Sequence, residues 1–212
     1  MPINQSIYMK YFVTGIGTDI GKTIASAILV EALKADYWKP IQSGDLDYSD
    51  SHKVRELVSN TTTKFHPESY RLKTPVSPHA AAKKDNIIIS LKNIHIPKTS
   101  NNLIIEGAGG LLVPINDKES IIDLIQSLNA KVILLSQHYL GSINHTLLSI
   151  EALQQRKIPI EGILFNGDEE YETEKIILSK TALKNMGRIP ILNSINKATI
   201  KNVAQQFNFL KK

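Results

Sequence analysis

The chain of 212 residues contains no cysteine. That absence removes disulfides, zinc–thiolate centres, iron–sulfur ligation and cysteine nucleophiles from consideration. Apolar runs are short as well, none approaching the roughly 18 to 20 residues that a membrane-crossing helix needs. The first residues, MPINQSIY, have neither the basic start nor the apolar stretch of a signal peptide. A soluble, cytoplasmic protein is the expectation. Repeats, low-complexity tracts and Pro/Ser-rich linkers are also missing, so a single domain over residues 9–212 is expected, with residues 1–8 as a flexible leader. The formal charge of +5 suits anionic ligands, but Lys and Arg are scattered and no block resembles a nucleic-acid arm. Neither nucleic acid nor membrane is expected as a partner. The histidines, at 52, 66, 79, 95, 138 and 145, show no metal-ligand spacing and are read as packing, capping or surface residues.

Apolar residues make up 42% of the chain, enough for a sizeable core. Short apolar runs at Tyr11 to Thr14, Tyr37 to Ile41, Leu103 to Ile105, Val132 to Leu135, Ile160 to Phe165 and Ile189 to Leu192 read as strands. Helical patterns lie at Lys22 to Lys34, Ile121 to Leu128, Ile143 to Gln155 and Glu172 to Met186. Strands apolar on both faces, alternating with helices, predict an α/β fold with a mostly parallel central sheet covered by helices on both faces. Function is then expected at the carboxyl ends of the strands. The stretch from Asn60 to Pro78, broken by Thr61, Thr62, Thr63, Pro67, Pro75 and Pro78, reads as a long loop that is either a functional lid or a tolerated excursion. The apolar stripe of Ile200 to Phe209, with Lys201, Lys211 and Lys212 beside it, is expected to pack on the sheet rather than lie on a membrane.

One segment carries chemistry on its face. Gly15-Ile16-Gly17-Thr18-Asp19-Ile20-Gly21-Lys22-Thr23 follows an apolar strand and opens a helix. A chain turning there points backbone N–H groups at the helix N-terminus, where the dipole favours anions. Lys22 supplies charge for the outer phosphates of a nucleotide, and Thr23 an oxygen for Mg²⁺. The loop encloses five residues between Gly15 and Gly21 where the usual phosphate loop has four.

A magnesium nucleotide site also needs carboxylates. Glu106 closes the strand pattern at Leu103 to Ile105 and precedes Gly107-Ala108-Gly109-Gly110, a turn that permits close backbone approach. Asp50 stands ahead of a helical pattern at Val54 to Val58, where it serves equally as a metal ligand or as a helix N-cap.

Tyr11-Phe12-Val13-Thr14-Gly15, Thr18 and Gly21-Lys22-Thr23, then Lys39-Pro40-Ile41-Gln42-Ser43-Gly44, Ser77-Pro78-His79, Glu106-Gly107-Ala108-Gly109-Gly110, Gly141-Ser142-Ile143-Asn144-His145 and Gly187-Arg188-Ile189-Pro190 resemble, in order and spacing, the dethiobiotin synthetase family. The likeness runs from about residue 10 to 195, and the five-residue gap looks like that family's own version of the loop. It implies ATP- and Mg²⁺-dependent closure of a cyclic urea from 7,8-diaminopelargonic acid and CO₂, through a carbamate and its mixed anhydride with phosphate, by a homodimer. Carried over, Lys39, Lys22 and Thr18 would be catalytic, with the two lysines stabilising charge on the carbamate and transferring phosphoryl group. Asp19, Ile20, Gly21, Lys22, Thr23, Ile24, Asp50, Glu106, Gly107, Ala108 and Gly109 would hold the nucleotide. Asn166, Gly167, Pro190, Ile191 and Leu192 would form its base pocket. Thr23, Asp50 and Glu106 would hold Mg²⁺. Ser43 would touch substrate near the carbamate, and Gly141, Ser142, Ile143 and Asn144 would take its carboxylate across the dimer.

Two positions depart from the family pattern, which often has Glu where Asp19 stands and Asn-Asp where Asn166-Gly167 stands. An amide-forming synthetase with a glutaminase half is excluded, since that half needs a cysteine. A dimerising nucleotide switch of the cell-division or partition type is the remaining rival; such switches usually carry a further lysine early in the loop, absent from Gly15-Ile16-Gly17.

Overall fold

Phe12 and Val13 point to opposite faces of one strand, as do Ile104 and Ile105 of another, yet all four are fully shielded from solvent. Such strands need cover on both sides, which crossover helices of a parallel sheet provide. In the computed structural model, which describes residues 8–210, nine strands and seven α-helices occur among the described residues. In chain order they are β1 Lys10–Gly15, α1 Lys22–Leu33, β2 Asp36–Trp38, β3 Ile41–Ser43, α2 Asp50–Leu57, β4 Phe65–His66, β5 Tyr70–Leu72 and α3 Pro78–Lys84. Then come β6 Leu103–Gly110, α4 Ile121–Leu128, β7 Lys131–Gln137, α5 Ser142–Gln155, β8 Ile160–Asn166, α6 Tyr171–Thr181, β9 Asn185–Ile189 and α7 Lys197–Ala204.

Seven strands form one sheet in the order β4-β2-β6-β1-β7-β8-β9, and every strand pair in it is parallel. On one face Phe12, Ile105, Leu134 and Phe165 pack with Ile122, Ile125, Ile150 and Ile177 from α4, α5 and α6. On the other, Val13, Ile104, Ile133 and Leu164 pack with Ile28 of α1, Val54 of α2 and Ile200 and Val203 of α7. Each such side chain contributes about 1.5 to 3 kcal/mol on burial. The α/β sheet covered on both faces is therefore the expected one, and the C-terminal stripe packs as expected, with Ile200, Val203 and Phe207 buried. Residues 1–7 and 211–212, which include most of the expected leader and two of the terminal lysines, lie outside the described residues. No helix among the described residues is long and apolar enough to cross a membrane.

Several boundaries differ from expectation. The run Tyr37 to Ile41 divides at Pro40, which has no N–H to continue a ladder, and β3 pairs instead with β5 in a separate two-stranded sheet. The long helix read over Glu172 to Met186 ends at Thr181, where Ala182 adopts a left-handed φ of 54°. The last strand is Asn185–Ile189 rather than Ile189 to Leu192, ending before Pro190. The segment 60–78 is not a plain loop: it holds β4 and β5, of two and three residues, too short to show a period among prolines and threonines.

Candidate active site

Because β2, β6 and β1 are neighbours and parallel, their carboxyl ends lie side by side. The sheet thereby assembles Lys39, just after β2, Glu106 on β6, and the loop that follows β1.

In that loop Asp19 and Gly21 take left-handed backbone conformations, with φ of 55° and 86°. Asp tolerates this region better than most side chains, and glycine enters it freely. Gly21 is the N-cap of α1, and neither a side-chain cap nor an acidic residue in the first turn competes for the free N–H groups there. An uncapped N-terminus of this kind suits phosphate. Lys22 Nζ donates to Gly17 O at 2.8 Å. Burial holds its pKa below the ordinary lysine value, against the opposing pull of Glu106. Thr18 and Asp19 are exposed on the cavity rim, whereas the Ile20 side chain turns into the core and leaves only its backbone near the loop.

Glu106 does not end its strand. It lies within β6, which runs on through the small residues to Gly110: Glu106 pairs with Val13 and Gly110 with Gly15, so β6 bulges beside the loop. Gly109, at φ 70°, sits in that bulge, where a Cβ would lie 2.8 Å from Val113. The Glu106 carboxylate is buried, with both oxygens hydrogen-bonded. Its Oε1 accepts from Thr23 Oγ1 and Lys39 Nζ, each at 3.0 Å, and its Oε2 from Tyr37 OH at 2.9 Å. Lys39 Nζ also contacts Asp50, whose other oxygen is 3.4 Å from Lys53 Nζ. Burial works to lower the Lys39 pKa, but Glu106 and Asp50 outweigh it and raise the value above the ordinary one. Burial likewise works to raise Asp50, and Lys39 first, then Lys53, brings it below the usual carboxylate range. The N-cap alternative for Asp50 fails: Ser49 caps α2 in a reciprocal box with His52, and Asp50 is the first helical residue.

A cavity of about 980 Å³ opens over this cluster, lined by Thr18, Asp19, Gly21 to Ile24, Lys39, Ser43, Asp50 and Glu106 to Gly109. Ser43 Oγ is buried there without a hydrogen-bond partner in the structure, an orphan that a ligand can satisfy. A second cavity of about 430 Å³ shares Gly21 and Ile24 with the first and is lined by Asn166, Gly167, Pro190, Ile191 and Leu192. Asn166 Nδ2 donates to Ile20 O at 3.0 Å, which ties this second chamber to the phosphate loop. Gly141, Ser142, Ile143 and Asn144 open α5 but line neither cavity, and Leu140 and Ile143 are exposed.

Sequence reasoning assigned no place at the site to Tyr37, Gln42, Asp45 or Lys53, and read His138 as a packing, capping or surface residue. Gln42, Asp45 and Lys53 line the larger cavity, and His138 lines the smaller one while pairing with Glu174 at 2.8 Å and stacking on Phe165. Tyr37 reads as an ordinary strand aromatic, and only pairing between β2 and β6 reveals its partner. His138, immediately after β7, packs as expected from the sequence, stacked on Phe165 and paired with Glu174.

The family model described as "AAA domain" matches residues 9–199. A protein of Christiangramia forsetii is 56% identical over 93% of this chain and 95% of its own length; its name is ATP-dependent dethiobiotin synthetase BioD. Proteins of the same name from Cytophaga hutchinsonii and Agrobacterium fabrum are 50% and 42% identical, covering 90% and 94% of this chain and 93% and 95% of their own. Among solved structures, a ParA family ATPase from Chlorobium tepidum has a TM-score of 0.61 at 11% identity, covering 95% of this chain and 98% of that one. The cell division ATPase MinD of Pyrococcus furiosus has a TM-score of 0.58 at 13% identity, covering 96% and 99%. At such identities these structures show the fold alone, whereas the sequence relatives align along nearly their whole length. By that likeness the chain belongs to the ATP-dependent dethiobiotin synthetase family.

Proposed function

We propose that this enzyme, an ATP-dependent ligase, closes the cyclic urea of dethiobiotin from 7,8-diaminopelargonic acid, CO₂ and MgATP. One amine of the diamine takes up CO₂ and loses a proton, giving a carbamate. A carbamate oxygen attacks the γ-phosphorus and ADP leaves. The second amine then attacks the carbonyl carbon of the mixed anhydride; phosphate departs, a proton is lost and the ring closes.

The observation that carries this reading is Lys39, a buried ammonium held between Asp50 and Glu106 beside the phosphate loop. Its raised pKa keeps it cationic, so it neutralises the carbamate and the transferring phosphoryl group rather than acting as a base. Lys22 and the uncapped first turn of α1 take the phosphates. Thr18, on the rim, would bind the phosphoryl oxygens, and the unpartnered Ser43 hydroxyl would orient the carbamate. Asn166 offers its free amide oxygen to the amino group of adenine, between Gly167 and Pro190 to Leu192.

Thr23, Asp50 and Glu106 present only oxygen donors and line the same cavity, with Thr23 and Lys39 both on Glu106 Oε1 and Asp50 on Lys39, a set whose chemistry fits Mg²⁺ carried in by the nucleotide. When bound, that ion would neutralise phosphate charge. Homodimerisation fits the exposed Leu140 and Ile143 beside the N-terminus of α5, which would offer its N–H groups to the substrate carboxylate of a second copy. The cytoplasm, where ATP is supplied, is the compartment we assign.

The decisive measurement is phosphate release from MgATP with 7,8-diaminopelargonic acid and bicarbonate, omitting each in turn, with the product identified by mass. Release that requires every component and yields dethiobiotin is expected; hydrolysis indifferent to the diamine would point to a nucleotide switch instead.

A further inference from the structure

We propose that Tyr37 sets the cation selectivity of the nucleotide site by tying one oxygen of Glu106 into the core, so that only the other oxygen is offered to the metal. This rests on the reading of Thr23, Asp50 and Glu106 as metal ligands.

Tyr37 lies in β2 directly opposite Ile104 of β6, and Glu106 is the next residue of β6 on the same face as Ile104. The two side chains are thus diagonal neighbours across the pair, within reach of a long aromatic. The Tyr37 hydroxyl donates to Glu106 Oε2 at 2.9 Å, and both residues are buried, Tyr37 completely. The Phe65 ring, with its centroid 5.9 Å from that of Tyr37, packs against it.

The two oxygens of Glu106 face different surroundings. Thr23 and Lys39, both on Oε1, line the large cavity, and Tyr37, on Oε2, does not. A cation entering the cavity therefore meets Oε1, while Oε2 is held on the core side. That distinction separates cations by size. Mg²⁺ demands near-octahedral geometry with few protein ligands, whereas Ca²⁺ takes six to eight oxygens and readily accepts both oxygens of one carboxylate. A tethered Glu106 cannot swing to offer both, which handicaps Ca²⁺ and leaves Mg²⁺ unaffected. Without the hydroxyl the carboxylate is free to turn, and the handicap disappears.

The test is cation binding. With a non-hydrolysable ATP analogue bound, Mn²⁺ is titrated by electron paramagnetic resonance and then displaced by Mg²⁺ or Ca²⁺, in the parent protein and in Tyr37→Phe. Affinity for Ca²⁺ relative to Mg²⁺ is expected to rise about tenfold in the variant, the scale of a hydrogen bond to a charged group. A ratio within about twofold of the parent's would overturn the proposal, because a merely structural role moves the melting temperature and not the ratio. Placing 4-aminophenylalanine at position 37 keeps a weaker donor and should give a ratio between the two. This keeps the proposal testable even where the phenylalanine variant fails to fold, and a folded variant without that intermediate ratio counts against it. Parent protein that binds no nucleotide-dependent Mn²⁺ would remove the metal-site reading itself; parent protein that binds it, with an unchanged ratio in both variants, would remove only the role of Tyr37.

Discussion

Lys39 Nζ lies 3.0 Å from Glu106 Oε1, with both side chains almost wholly removed from solvent. A buried ion pair is costly to desolvate and adds little stability by itself, but breaking one side of it leaves an uncompensated charge. In the proposed reaction the pair stands where a charged substrate and a charged nucleotide would meet. Its arrangement is better explained by preorganised charge at a reacting centre than by folding, since such groups stabilise developing charge without having to reorient.

Replacing Lys39 with Gln keeps length and a donor while removing the charge. Diamine-dependent phosphate release should fall by about two to three orders of magnitude, the usual loss when one preorganised stabilising group is removed. Binding of a fluorescent ATP analogue should change far less, because Lys22 and the α1 N-terminus are left in place. Diamine-dependent turnover at the parent rate would exclude Lys39 from the chemistry.

Gly21 is a sharper probe of the loop. Its φ of 86° strains any side chain, and a Cβ there would lie 2.7 Å from Asn166 Nδ2, displacing the amide that links the smaller cavity to the loop. Gly21→Ala should therefore weaken ATP binding by at least about tenfold while costing roughly 1 to 2 kcal/mol of stability. Nucleotide affinity by calorimetry, read beside a urea melt, separates the two effects. Undiminished affinity would mean that the loop adapts and that Asn166 is not held by it.

Much of this was legible in the sequence. The phosphate loop and Glu106 announce themselves through residue type and position relative to apolar runs, Lys39 stands out only through the family resemblance, and the alternation of those runs gives the layered sheet. What was hidden depends on pairing across the sheet. Tyr37 is an unremarkable strand aromatic until β2 lies beside β6, and the extension of β6 through Gly107 to Gly110 contradicts the usual meaning of a glycine cluster. Strands of two or three residues, such as β4 and β5, carry no period at all. Asp50 was ambiguous because Asp serves equally well as a cap or a ligand, and only the capping box of Ser49 with His52 settles its place in the helix.

The proposed dimer can be tested at Leu140, a fully exposed leucine directly before the helix that carries Ile143 and Asn144. Leu140→Glu should convert a dimer to a monomer in sedimentation, since a charge placed in an apolar interface must be desolvated. Activity should fall with it, and ATP binding should persist because the two cavities proposed for the nucleotide are lined without α5. A monomeric parent protein with full activity would defeat the assignment of Gly141 to Asn144 to a neighbour's substrate.

Asp36 gives a prediction about stability that is separate from catalysis. Its buried carboxylate accepts from the Lys64 backbone N–H at 3.0 Å, Thr99 Oγ1 at 2.7 Å, and Asn101 Nδ2 at 3.3 Å, and it pairs with His66 Nε2 at 3.2 Å. One side chain thus fastens β2 to β4 at the sheet edge and to the segment before β6. Burial works to raise its pKa, but the donors, the Lys64 N–H first, bring it below the ordinary aspartate value. A folded-state pKa below the unfolded one means stability that is fully present above the unfolded value of about 3.9 and is lost as the pH falls through the folded value. Asp36→Ala should cost about 3 kcal/mol in urea unfolding at pH 7, because several buried donors lose their acceptor at once. Below about pH 4 the gap between parent and variant should narrow as the parent carboxylate takes up its proton. A gap that stayed constant through that range would show that the contribution of Asp36 comes from packing, and not from its charge.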